Sequence, residues 1–160
     1  MSVTRAAACA VAVGLAACAP DSLQGSLSSL DSLAFTSVAA DTGGADLVII
    51  YKEAVGSGFD VPFQLTVEIG TNPVPKGTVI QLGALDPSGA PIAVASRSVT
   101  GDTRGFPAIK SGTLTLNDSP TVGDSLSGSF FLVFDYQNDS TLGQGRTVEG
   151  SFQAVLTSSS

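Results

Sequence analysis

Apolar and polar residues alternate along most of the chain beyond residue 33. Phe63, Leu65, Val67 and Ile69 fall on one phase and Gln64, Thr66 and Glu68 on the other, the period of a strand with one covered face. Gly77 to Leu85 forms a second run, closed by Asp86-Pro87-Ser88-Gly89, which is turn chemistry. Pro91 to Val99 forms a third and ends at Gly101-Asp102. Thr113 to Asn117 alternates again. Leu126, Gly128, Phe130, Leu132, Phe134 and Tyr136 share one face, and Val148, Gly150, Phe152, Ala154 and Leu156 share another. A polar loop, Gln137 to Gly145, joins these two runs. Leu47 to Val55 is apolar on both phases, the pattern of a central strand covered on both faces.

These runs predict seven or eight strands with turn signals between them and no long helical pattern. The expected fold is all-β: an antiparallel β-sandwich, Ig-like or jelly-roll-like, over residues 33–158. The last two runs echo each other, as Leu126-Ser-Gly-Ser-Phe130 and Val148-Glu-Gly-Ser-Phe152. Hairpin partners with similar packing needs account for the echo, because an inward glycine leaves room for a facing aromatic. Phe131 is out of phase with Phe130 and Phe134. Its expected setting is a strand covered on both sides, and the alternative is an exposed contact residue.

The N-terminal pattern differs. Arg5 precedes an apolar stretch from Ala6 to Ala17. Helical rise of about 1.5 Å per residue leaves such a stretch too short to cross a hydrocarbon core of about 30 Å. Residues 1–17 therefore read as a secretory signal peptide. Leu15-Ala16-Ala17-Cys18 resembles the bacterial lipobox. That resemblance implies a diacylglycerol thioether on Cys18, cleavage before it and acylation of the new amino group. The other cysteine, Cys9, leaves with the signal, so no intramolecular disulfide is expected. About two acyl chains suffice for stable attachment, so the membrane is the expected partner, reached through Cys18. Ala19 after the cysteine resembles the outer-membrane form of such lipoproteins, in which Asp at that position marks inner-membrane retention. The segments Ser111 to Leu116, Val122 to Asp124, Leu126 to Phe130 and Gly145 to Phe152 are similar to the C-terminal halves of β-rich bacterial lipoproteins.

Residues 18–32 are dominated after the cysteine by Ser, Gly, Asp and Pro, which predicts a flexible tether. A weaker helical pattern competes there: Leu23, Leu27, Leu30 and Ala34, with Asp21 or Ser22 as N-cap.

Composition narrows the chemistry. The chain has no His, 7 Lys plus Arg and 14 Asp plus Glu, for a net charge of −7. Loss of Arg5 with the signal makes the mature charge −8. Without His there is no Ser-His-Asp triad, no Cys-His pair and no imidazole ligand for zinc. An acidic chain is poorly suited to phosphate backbones, so no nucleic-acid partner is expected. Asp41-Thr42-Gly43 resembles the Asp-Thr-Gly of retroviral-type aspartic proteases. Ala39 and Ala40 replace the bulky residues expected before it, and Asp-Thr-Gly-Gly is also hairpin-turn chemistry.

Asp135, Asn138 and Asp139 are weak calcium candidates in one loop, and Asp41 and Asp46 lie in another. A glycosidase needs a carboxyl pair across a cleft, which fourteen acids do not by themselves specify. Gly101 to Gly105 lacks the lysine of a phosphate loop, and Arg104 and Phe106 read as part of an exposed loop before Pro107. No cofactor is expected. The sequence thus points to a lipid-anchored outer-membrane protein that acts as a structural or binding module toward a protein or polysaccharide. A carboxylate-dependent hydrolase or a calcium-binding adhesion module is the alternative.

Overall fold

The computed structural model describes residues 20–135 and 145–159. The signal segment, the lipobox, Cys18, Tyr136 and residues 137–144 of the polar loop lie outside the described residues. The described chain is an all-β sandwich with one 3₁₀ turn at Ser26–Ser29. Its strands are β1 (Ser22–Gln24), β2 (Ser37–Gly43), β3 (Asp46–Val55), β4 (Gly58–Glu68), β5 (Val79–Gln81), β6 (Ala93–Val99), β7 (Asp102–Gly105), β8 (Ile109–Leu116), β9 (Ser125–Phe134) and β10 (Thr147–Ser158). Seven of the ten have seven residues or more, and the expected count of seven or eight is corrected by the three short edge strands β1, β5 and β7.

The strands follow the order β5-β8-β9-β10-β2-β3-β4-β6-β7, with β1 beside β10. One layer, sheet A, holds β5, β8, β9, β10 and β1, and the other, sheet B, holds β2, β3, β4, β6 and β7. β10 belongs to both. Its first part pairs with β9 and β1, and Leu156–Ser158 pair in parallel with Ala40–Thr42 of β2. Among the described residues that pair is the one parallel junction, the other ladders being antiparallel.

The core sits where the layers face each other. Leu47, Ile49, Tyr51, Phe63, Leu65 and Val67 of sheet B are fully buried, as are Leu114, Leu116, Leu132 and Val148 of sheet A. The two echoing segments are direct partners, with Gly150 opposite Phe130 and Gly128 opposite Phe152. Each phenyl ring lies over the other strand's glycine. A Cβ on Gly150 would stand 2.7 Å from both the Phe130 ring and the Tyr51 hydroxyl. One on Gly128 would meet the Thr115 carbonyl oxygen at 2.5 Å and the Phe152 ring at 2.8 Å. Tyr51 crosses between the layers and donates to the Ser151 carbonyl at 2.9 Å. Phe130 stacks on Phe63 at 5.7 Å, and Tyr51 meets Phe35, Phe63 and Phe130 edge-on.

Several expectations need correction. Residues 22–32 are not a tether. Ser22, Leu23 and Gln24 pair with Ser151, Gly150 and Glu149, and Leu27 is fully buried. Burying one leucine contributes about 1.5–3 kcal/mol, and with the strand pairing this offsets the ordering of a serine-rich segment. The competing helical pattern yields only the 3₁₀ turn. β3 is central in sheet B, but Val48 and Ile50 are only half-buried, so one face rather than both is covered. The run from Gly77 to Leu85 supplies only β5, whereas the turn after it forms, with Asp86 accepting from the Ser88 and Ala90 amides at 2.8 Å. β4 begins before Phe63, at Gly58. Pro62 lies where the register to β6 shifts between Val61 and Gln64, as expected for a residue with no amide proton to donate.

Adding one methyl at Gly128 or Gly150 by substitution to Ala is expected to lower unfolding stability by about 1–3 kcal/mol, read as a reduced urea midpoint. Burial, and then the charge of Asp21, raises the Tyr51 phenol well above its ordinary value. Because the folded value lies above the unfolded one, Tyr51 contributes stability that is present below about pH 10. That contribution is lost as pH rises toward the folded value. Spectrophotometric titration of phenolate is expected to show Tyr51 ionising only together with alkaline unfolding, and Tyr51→Phe is expected to remove that component.

Candidate functional site

The outward faces of β1, β10, β9, β8 and β5 align in rows set by register. Gln24, Glu149, Phe131, Thr113 and Gln81 form one row, and Ser22, Ser151, Ser129, Thr115 and Val79 form the next. The alternation that turns Phe130 and Leu132 inward must turn Phe131 outward, and Phe131 is 44% exposed. This corrects the expectation that both faces of β9 are covered. A shallow depression of about 380 Å³ runs along these rows between Gln24 and Thr115. Hydrogen bonds across it fix its polar edge: the Gln24 amide donates to Glu149 at 2.8 Å, and the Ser22 and Ser151 hydroxyls are 2.8 Å apart. Glu149 is the one charged side chain lining it. The face offers an apolar ring, hydroxyls and carboxamides, which is chemistry for stacking and hydrogen bonding rather than for bond cleavage.

A second polar cluster lies at the end of sheet B, where β6 meets β7. Arg97 and Arg104 are direct cross-strand partners, an arrangement that is repulsive by itself. Asp31, arriving from the N-terminal segment, lies against both. It touches Arg97 Nη1 and accepts two bonds from Arg104 Nη2 at 2.8 and 2.7 Å. Asp102 adds contacts of 3.2 Å to Arg97 and 3.4 Å to Arg104. The Nε atoms of both arginines and Nη1 of Arg97 face these carboxylates off the N–H axis, so the pairing there is ionic. Two positive and two negative charges close the cluster to neutrality, with Arg97 only 8% exposed. The signal for it in the sequence is phase: Arg97 shares the inward phase of Ala93 and Ala95.

The remaining candidates separate. Asp41 lies inside β2 opposite Val48, not in a turn, and the two-residue turn is Gly44-Ala45, with Gly44 at a φ of 66°. Asp46 faces Gly43 across that hairpin. Arg104 belongs to β7, and Phe106 packs against Phe63 and Phe134 at 5.9 and 5.3 Å, so neither is in an exposed loop. Asp135 follows β9 and its amide donates to the Ala108 carbonyl at 2.7 Å. Asn138 and Asp139, the other calcium candidates, lie outside the described residues, as do Leu15, Ala16, Ala17 and Cys18. Among the described residues no group of three or more metal-ligating side chains comes together, and no helix is long and apolar enough to cross a membrane. The chain matches no family model, no curated protein and no solved structure.

Removing the Asp31 carboxylate leaves the two facing arginines with Asp102 as their remaining described ion-pair partner, and Arg97 is largely covered. Asp31→Ala is expected to cost about 3 kcal/mol, measured by urea denaturation followed by intrinsic fluorescence.

Proposed function

We propose that this chain is a non-catalytic binding module of the bacterial envelope, lipid-anchored through Cys18 at the outer membrane, and that the outer face of sheet A takes a polysaccharide. The observation that carries the reading is Phe131, an exposed ring set in rows of serine, threonine, glutamine and glutamate. A sugar ring has an apolar C–H face and a rim of hydroxyls. The first matches the phenyl surface, and the second matches the donors and acceptors around it. The scarcity of charge in the depression favours a neutral polymer over a polyanion.

A non-catalytic role is supported by the placement of three described carboxylates. Asp31 and Asp102 are neutralised by Arg97 and Arg104, and Asp41 lies within the β2–β3 ladder opposite Val48.

Phe131→Ala is expected to weaken retention on immobilised envelope polysaccharide about tenfold, since an aromatic contact of this kind is worth about 1 kcal/mol or slightly more. Thermal stability is expected to change little, because the ring is exposed. Equal retention of the wild-type and variant proteins would remove the polysaccharide reading. For the anchor, mass spectrometry of the membrane fraction is expected to find a chain beginning at acylated Cys18, and Cys18→Ser is expected to abolish membrane recovery. An unmodified Cys18 in the membrane-recovered chain overturns the anchorage.

A further inference from the structure

The N-terminal segment is fixed to the domain much closer to Cys18 than its composition predicts. The Pro20 carbonyl accepts from the Ser151 hydroxyl at 2.7 Å. Asp21 Oδ1 accepts from the Gln153 amide at 2.7 Å. β1 follows directly, Leu27 is fully buried, and Asp31 is held between Arg97 and Arg104. Cys18 precedes the first of these contacts by two residues. Even fully extended, two residues span only about 7 Å.

From this spacing we infer that the domain rests directly on the bilayer that holds Cys18, with the end of sheet A carrying Val122 and Val155 facing the lipid headgroups. This rests on the lipid anchorage proposed above. β1 runs antiparallel to β10, so the chain enters the domain heading away from the C-terminal end of β10. That leaves Pro20, the described residue nearest Cys18 in the chain, on the Val155 side of β1. Val155 is 59% exposed, and Val122, 54% exposed, lies beside it because the Gly123 amide donates to the Leu156 carbonyl. Two exposed aliphatic side chains thus sit at the end nearest the anchor, where an interface of headgroups and acyl chains can cover them. Phe131 stands six residues farther along β9 than Ser125, the partner of Val155. At about 3.4 Å per residue, that lifts the proposed polysaccharide face about 20 Å above the bilayer. Val55, at the β3–β4 hairpin, marks the opposite end of the sandwich.

The test uses the full acylated chain in vesicles of phosphatidylcholine and phosphatidylethanolamine with a headgroup-linked acceptor dye. A donor dye is placed on Val155→Cys or on Val55→Cys, both at exposed positions. Energy transfer is expected to be several-fold greater from position 155 than from position 55. A flexible Gly/Ser insertion between Ala19 and Pro20 is expected to bring the two closer together. Equal transfer from the two positions in an acylated, vesicle-bound chain without the insertion overturns this inference and leaves the anchorage standing. A chain that carries no acyl group and does not bind vesicles overturns both.

Discussion

Gly150 has no Cβ, and the centre of the sandwich is assembled in the space this leaves. The Phe130 ring and the Tyr51 hydroxyl both occupy the volume a side chain would take. Tyr51 reaches the Ser151 carbonyl from the opposite layer only because β10 presents bare backbone there. Phe130 can then stack on Phe63 of sheet B. Four strands from two layers are thereby locked at one point. Gly128 repeats the arrangement for Phe152 two residues along the ladder.

β10 carries the rest of the organisation because it is shared. It supplies Gly150 and Phe152 to the core, receives β1 along its first part and passes into sheet B through Leu156–Ser158. The same alternation that turns Gly150 and Phe152 inward turns Glu149 and Ser151 outward, beside Phe131 and Ser129 of β9. The outer face and the core are therefore two consequences of one register. A slip by one residue would exchange them.

The N-terminal segment shows how tertiary contacts override composition. Ser, Gly and Asp in residues 20–32 favour a solvated chain, yet a few groups in that stretch have strong partners. Leu27 finds a pocket in the core, and Asp31 finds two arginines brought together by the β6–β7 hairpin. Neither partner is a neighbour in sequence, so a local reading of the segment had no access to them. Under the anchorage proposed at Cys18, a fixed segment holds the domain close to the membrane where a tether would let it drift.

The sequence by itself determined the all-β class and the positions of most long strands. It also determined the pairing of aromatic with glycine in the last two strands and, through the lipobox resemblance, the expectation of a lipid anchor. These follow from local period, turn residues and short motifs, which act over a few residues. Only the tertiary structure decided that Phe131 is exposed and Phe106 partly buried against the core. It alone placed Arg97, Arg104, Asp31 and Asp102 in one neutral cluster and Asp41 within a regular strand. Each of those outcomes depends on which strand lies beside or across from which. That order is set by contacts between residues far apart in the chain, such as the Tyr51 hydroxyl and the Ser151 carbonyl.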